Sequence, residues 1–154
     1  MRIYVASSWR NQYQDIVVRC LRYSTDHHVY DFRNPAPGEH GFAWTDLEGK
    51  AAGMRVDGKW QDWTSAEFKA ALDLPRAIDG FNSDMDALRA CDVCILVLPC
   101  GRSAHLELGW AVGAGKRTAI YIPSGEHVEP ELMYRMVDRI CLSMYEMFDW
   151  VAHA

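Results

Sequence analysis

The chain has 154 residues, 49% of them hydrophobic and 24% charged, with sixteen Lys and Arg against twenty-one Asp and Glu for a formal charge of -5. That length suits one ordinary domain able to bury roughly two thirds of the surface its unfolded chain exposes. No window approaches the roughly 18 consecutive apolar residues of a membrane span, and an acidic balance without a Lys/Arg run argues against a binder of nucleic-acid polymers, which needs a basic stripe for the phosphates.

The first residues, Arg2-Ile3-Tyr4-Val5-Ala6, alternate as a short strand and leave no room for a signal peptide, so a cytoplasmic protein is expected. Residues 11–23 carry Ile16, Val17, Cys20 and Leu21 at helical spacing. Residues 28–32 read as a second strand. Residues 33–62 are rich in Gly, Pro, Asp and Trp without a period, and a loop that long inside a compact domain usually has a function. Thr64-Ser65-Ala66-Glu67 is a capping box, predicting a helix over 65–74 that Pro75 stops. Ser83 caps a further predicted helix over 84–91, and the unbroken apolar run 93–98 reads as a strand buried on both faces. A helix over 104–115 ended by glycine, a strand over 118–122, a short helix over 131–135 and a last strand over 139–142 follow. Ser143-Met144-Tyr145-Glu146 is a second capping box, opening a C-terminal helix.

Strands alternating with helices predict an α/β fold, a parallel sheet of about five strands with helices on both faces. No linker divides residues 1–154, which are expected to form a single domain carrying a Trp-rich insertion at about 33–75. In such sheets ligands sit at the carboxyl ends of strands, so the segments after the strands are the ones to search.

Five cysteines form an odd set without disulfide spacing. Cys91 and Cys94 make a CxxC, but Cys94 opens an apolar strand, where a buried thiol is the simpler reading. His27, His28 and His127 show no metal-ligand spacing. Neither a metal nor any other cofactor is expected, and both GxGxxG and GxxxxGK[ST] are missing.

The most informative run is Leu98-Pro99-Cys100-Gly101-Arg102-Ser103-Ala104-His105-Leu106-Glu107-Leu108-Gly109. It leaves a buried strand, turns at Gly101 and opens a helix at Ser103, whose first amides suit an anion. Arg102 adds a permanent charge with a planar fork. Glu107 lies one turn further along, on the face that looks back toward those amides, with apolar neighbours. A carboxylate so placed is a nucleophile, a base or a partner of a buried cation, or simply a glutamate favoured by the helix dipole. Asp84 and Asp86 form a second acidic cluster that capping alone would explain. Two carboxylates meeting at one pocket are nonetheless what glycoside cleavage requires. After the first strand, Ser7, Ser8 and Arg10 offer donors to a phosphate or sugar, and Tyr4 can present its hydroxyl to a carboxylate. His105 reads as a partly buried structural histidine, and Ser103 lacks the G-x-S-x-G of a hydrolase nucleophile. Trp44, Trp60 and Trp63 crowd one polar stretch, where they either seal a small core or stack on a ligand.

Arg2-Ile3-Tyr4-Val5-Ala6-Ser7-Ser8, Ser83-Asp84-Met85-Asp86-Ala87-Leu88 with Cys91-Asp92-Val93, and the run from Ser103 to Gly109 with Lys116 beyond together resemble the nucleoside 2-deoxyribosyltransferase family and its relatives that hydrolyse the N-glycosidic bond of nucleoside 5′-monophosphates. The resemblance covers most of the chain in order and is weakest over 33–75. It implies a flavodoxin-like sheet and a double displacement at the anomeric carbon. Glu107 matches the nucleophilic glutamate, Asp84 the acid that assists departure of the base, and Tyr4 the tyrosine that positions the glutamate. The transferases carry an acidic residue a few positions before the nucleophile, where this chain has Cys100-Gly101-Arg102. The 5′-monophosphate hydrolases instead hold phosphate with a Ser and Arg after the first strand and a later serine, a layout that Ser8, Arg10 and Ser103 match, with Gly101 and Arg102 beside them. A small nucleoside or nucleotide is therefore the expected partner, with Trp44 or Trp63 stacking on its base. Family members are homodimers or higher homo-oligomers, which the cluster Met133, Tyr134 and Met136 would serve as interface unless it is core. Two other readings stay open: a TIR-like NAD glycohydrolase, which also places a glutamate at a helix start, and a non-catalytic nucleotide-binding module.

Overall fold

The computed structural model describes residues 1–24, 26–50 and 58–153. Part of the irregular segment expected over 33–62, residues 51–57, lies outside them, as do residues 25 and 154 of the expected domain. The elements in order are β1 (Arg2–Ala6), α1 (Gln14–Ser24), β2 (His28–Asp31), α2 (Ser65–Leu72), α3 (Pro75–Ala90), β3 (Val93–Val97), α4 (Arg102–Gly113), β4 (Arg117–Tyr121), β5 (Arg139–Cys141) and α5 (Met144–Ala152). Short 3-10 turns cover Trp44–Leu47, Trp60–Asp62 and Leu132–Met136. Among the described residues no helix is long and apolar enough to cross a membrane.

The chain divides into two compact units, one of Met1–Asp31 with Ala87–Ala154 and the other of Phe32–Asp86. The first holds a five-stranded sheet in the order β2-β1-β3-β4-β5, with every pairing parallel. That is the flavodoxin-like order, and the chain reverses direction across the sheet between β1 and β3. β3 is buried along its whole length, which is why its sequence Val-Cys-Ile-Leu-Val shows no alternation. Ile3, Val5, Val93, Ile95 and Val97 point to one face and pack with Val17, Val18 and Leu21 of α1 and Met147 and Val151 of α5. Alternation sends Tyr4, Cys94 and Ile120 to the opposite face, where α4 contacts β1, β3 and β4 and buries Ala104, Leu108 and Ala111. α4 ends where Gly115, at φ +69°, takes the left-handed conformation that lets Lys116 N–H reach the Ala111 carbonyl at 3.0 Å. At α5, the Ser143 hydroxyl accepts from Glu146 N–H at 3.1 Å while the Glu146 carboxylate caps Leu142 N–H at 2.8 Å.

In the second unit the Thr64 capping box opens α2 as the sequence requires, the hydroxyl accepting from Glu67 N–H. The next helix departs from expectation. Pro75 does not only stop α2; it begins α3, occupying the first turn where its missing N–H has no partner to lose. Leu74 O accepts from Ala77 N–H and Ile78 N–H, so the helix runs on through Ser83, which is no cap, and Asp84 lies in its interior. Capping and the helix dipole therefore do not account for Asp84. The interior Gly80 has a packing reason: a Cβ there would lie 2.5 Å from Phe42 Cβ. Alanine is about 1 kcal/mol the better helix former, yet Gly80→Ala is expected to destabilise the protein by about 1–3 kcal/mol through this overlap. A denaturant midpoint unchanged or raised in that variant would show that Phe42 is not so closely held.

Candidate functional site

The carboxyl ends of β1 and β3, where the strand order reverses, are occupied by the Ser7–Arg10 loop and by the turn that opens α4. Ser7 is buried and donates its hydroxyl hydrogen to the Val97 carbonyl at 2.9 Å, which fastens the loop to β3. Ser8 is half-buried and Arg10 exposed. Across from them Gly101 caps α4 in an extended conformation without a side-chain hydrogen bond, and no acidic side chain stands in the first turn. Arg102 and Ser103 are exposed. The helix thus starts at Arg102, before Ser103, and its leading amides are not consumed by a capping side chain.

Glu107 is half-buried on the flank of α4. Its charge reaches β3 and the turn: burial first, and then Glu107, pushes the Cys100 thiol up to about 12. Cys94 is held well above its ordinary value by burial, with Cys91 and Glu107 acting in the same sense. Tyr4 pairs in register with Cys94, so both point to the α4 face of the sheet. Its ring is fully buried and stacks on Tyr30 at 5.3 Å with a 17° tilt. Tyr4, Cys94 and Glu107 thus belong to one side of the sheet, at the strand pair where the topology switches.

The Cys100 shift yields a direct check. At pH 8 the site lies well below its pKa, so Cys100 remains a thiol and alkylates slowly. Glu107→Gln removes a neighbouring negative charge, lowers the Cys100 pKa and is expected to speed its alkylation a few-fold, followed by mass spectrometry of the peptide. An unchanged rate would place the carboxylate elsewhere. Cys100 itself is no base-activated nucleophile. His105 Nδ1 lies 2.8 Å from the Gly101 carbonyl, which only accepts, so Nδ1 carries the proton and has no lone pair for the thiol 3.6 Å away. Nε2 then accepts from the Tyr134 hydroxyl at 2.8 Å, and the two rings stack at 5.8 Å.

His105 and Glu107 lie two residues apart and so on opposite flanks of the helix. A cleft of about 770 Å³ opens on the His105 flank, lined by Pro99, Cys100, Arg102, His127 and Tyr134 among others. Met133 and Met136, readable as interface or core, are exposed at 55% and 46% in the single chain and so are not core.

Asp84 and the two tryptophans belong to the second unit. Asp84 is half-buried on α3. Trp44 and Trp63 meet edge to face at 6.0 Å, and both pack against the small core of Leu47, Ala71 and Ala77. Phe42 adds an edge-to-face contact on Trp44 at 5.1 Å. All five cysteines are free, the CxxC pair Cys91 and Cys94 being buried thiols. Among the described residues no three His, Cys, Asp or Glu side chains gather as a metal set.

Sequence reasoning passed over two residues of the β1–α1 loop. Asn11, 3% exposed, donates through Nδ2 to the carbonyls of Val97 and Pro99. Tyr13 donates its hydroxyl to Glu126 in the segment after β4 at 2.7 Å, which raises the tyrosine pKa. Asn before the first apolar residue of a predicted helix signals a cap. Nothing local signals its far partners.

The fold and this strand order define a flavodoxin-like α/β protein. A conserved protein of Enterococcus faecalis V583 matches 98% of this chain over 96% of its own, with a TM-score of 0.55 at 12% identity. A CMP N-glycosidase of Clostridium botulinum aligns over 99% of both chains at 13% identity with a TM-score of 0.49. No protein-family model matches the sequence. No curated protein matches it either. Likeness at such identity speaks for fold alone.

Proposed function

We propose that the chain cleaves the N-glycosidic bond of a nucleoside 5′-monophosphate. The observation that carries this reading is the half-buried Glu107 carboxylate, whose charge acts on Cys94 beside Tyr4 at the topological switch. Glu107 attacks C1′ of the sugar, and the bond from C1′ to the base nitrogen breaks with its electron pair going to the base. The leaving nitrogen needs a proton as it departs, the role for which the resemblance makes Asp84 the candidate, and Tyr4 holds the glutamate in line. The resulting glycosyl ester is resolved when water, or another base, attacks C1′ and returns the carboxylate. Ser8, Arg10, Arg102, Ser103 and the leading amides of α4 hold the 5′-phosphate, an anion matched to a helix start flanked by guanidinium groups. Ser7 supports this cradle through Val97 rather than by donating to the ligand.

The test is incubation of the protein with ribo- and deoxynucleosides, their 5′-monophosphates and NAD, with and without a free base as acceptor, following released base by chromatography. Release from 5′-monophosphates ahead of nucleosides is expected. Cleavage of NAD alone would move the activity to the NAD glycohydrolases, and nucleotide binding without release from any substrate would leave a binding module.

A further inference from the structure

The two loops at the switch point are joined by one side chain. Asn11 Nδ2 donates to Val97 O at 3.0 Å and Pro99 O at 2.9 Å, and Asn11 Oδ1 accepts from Tyr13 N–H at 2.6 Å and Gln14 N–H at 3.0 Å. A carboxamide has two N–H donors and two acceptor lone pairs, and all four are used. The oxygen end caps α1; the nitrogen end grips the segment that leaves β3 and leads into α4. Two further bonds brace the same corner. Ser7 Oγ shares the Val97 carbonyl at 2.9 Å, and Tyr13, whose amide Asn11 captures, extends its hydroxyl to Glu126. The segments following β1, β3 and β4 are thus tied at the start of α1.

We propose that Asn11 is a positioning residue: it sets the distance between the Ser8 and Arg10 loop and the turn carrying Arg102 and Ser103, from which α4 delivers Glu107. This rests on the glycosidase reading for its chemistry, but not for its geometry. If phosphate is held from both loops while the carboxylate rides on the helix that one of them launches, a fixed spacing between loops fixes where C1′ sits relative to Glu107. A displacement of about 1 Å at such a point costs roughly 10²-fold in rate. Asparagine is the residue this role selects. Aspartate keeps both acceptors and loses both donors, turning a carboxylate toward two carbonyls. Serine caps a helix and has a single donor, on a shorter side chain. The side chain is buried and its four hydrogen-bonding positions are engaged within the protein, so its effect runs through the loops.

Asn11→Asp and Asn11→Ser separate the cap from the tie, since both retain a capping oxygen. Hydrogen exchange is measured first on the protein without substrate. Peptides over 98–106 are expected to exchange about tenfold faster in both variants, while those over 14–22 change little. Parent-like exchange over 98–106 in both variants would overturn the tie. Steady-state assays then compare a 5′-monophosphate with its nucleoside. The expected result is a kcat for the nucleotide lower by roughly 10–10²-fold and a loss of most of the preference for the nucleotide. A purely structural residue would lower both substrates by the same factor, and that outcome overturns the positioning role. If the parent itself releases no base, the glycosidase reading falls, and the exchange result still decides the tie by itself.

Discussion

Glu107→Gln is expected to abolish base release, lowering kcat by roughly 10⁴-fold, as loss of a covalent nucleophile does. The substitution keeps the shape of the side chain while removing its charge and exchanging one acceptor oxygen for an NH2 donor, so a fall in rate reports chemistry rather than packing. Glu107 is half-buried on the helix flank, while Ala104, Leu108 and Ala111 make the contact with the sheet, so the variant should keep its melting temperature close to that of the parent. Because the nucleophile acts in the reacting complex, KM should change far less than kcat. The proposed covalent step adds a second readout: rapid quenching of the parent with substrate should yield protein heavier by one glycosyl phosphate, and Glu107→Gln should yield none. Activity within tenfold of the parent would remove Glu107 from the reaction.

The double substitution Arg10→Ala with Ser103→Ala carries the second large effect. Under the proposed reading each residue gives the phosphate a hydrogen bond to a charged group, about 1.5–3 kcal/mol when intact, and both side chains are exposed, where salt weakens such contacts. Together they are expected to lower kcat/KM for a 5′-monophosphate by roughly 10²-fold and for the nucleoside hardly at all. The gap should narrow as salt rises, because the parent loses part of the same attraction. If the double variant kept its preference for nucleotide over nucleoside, the phosphate would have to be held elsewhere, with Arg102 and the α4 amides as the remaining candidates.

Much of the fold was legible because its signals are local. β3 is an unbroken apolar run, and the Thr64 box reports its own helix start. What failed locally was α3, where Pro75 reads as a stop and Ser83 as a cap. Pro75 is a first-turn proline and Ser83 lies inside the helix, whose interior Gly80 admits Phe42 from distant sequence. The candidate site divides the same way. A glutamate one turn into a helix after a strand, and Ser and Arg after another, can be read from order alone. Asn11 could not be: its partners Val97 and Pro99 stand 86 and 88 residues away, and only the parallel pairing of β1 with β3 brings them near. The tryptophan excess was visible, but the packing of Trp44 and Trp63 on Leu47, Ala71 and Ala77 depends on tertiary contacts no spacing announces.

The free thiols open a further use. Cys91, Cys94 and Cys141 are buried, at the edge of β3, inside it and at the end of β5, and each is held above its ordinary pKa by burial first. A thiol shut in this way reacts only when its segment opens, so pulsed labelling converts each cysteine into a clock for its own strand. Cys94 should be marked only on global unfolding and Cys141, at the sheet margin, sooner. The wild-type chain thus reports the order in which its sheet comes apart, strand by strand, without any introduced probe.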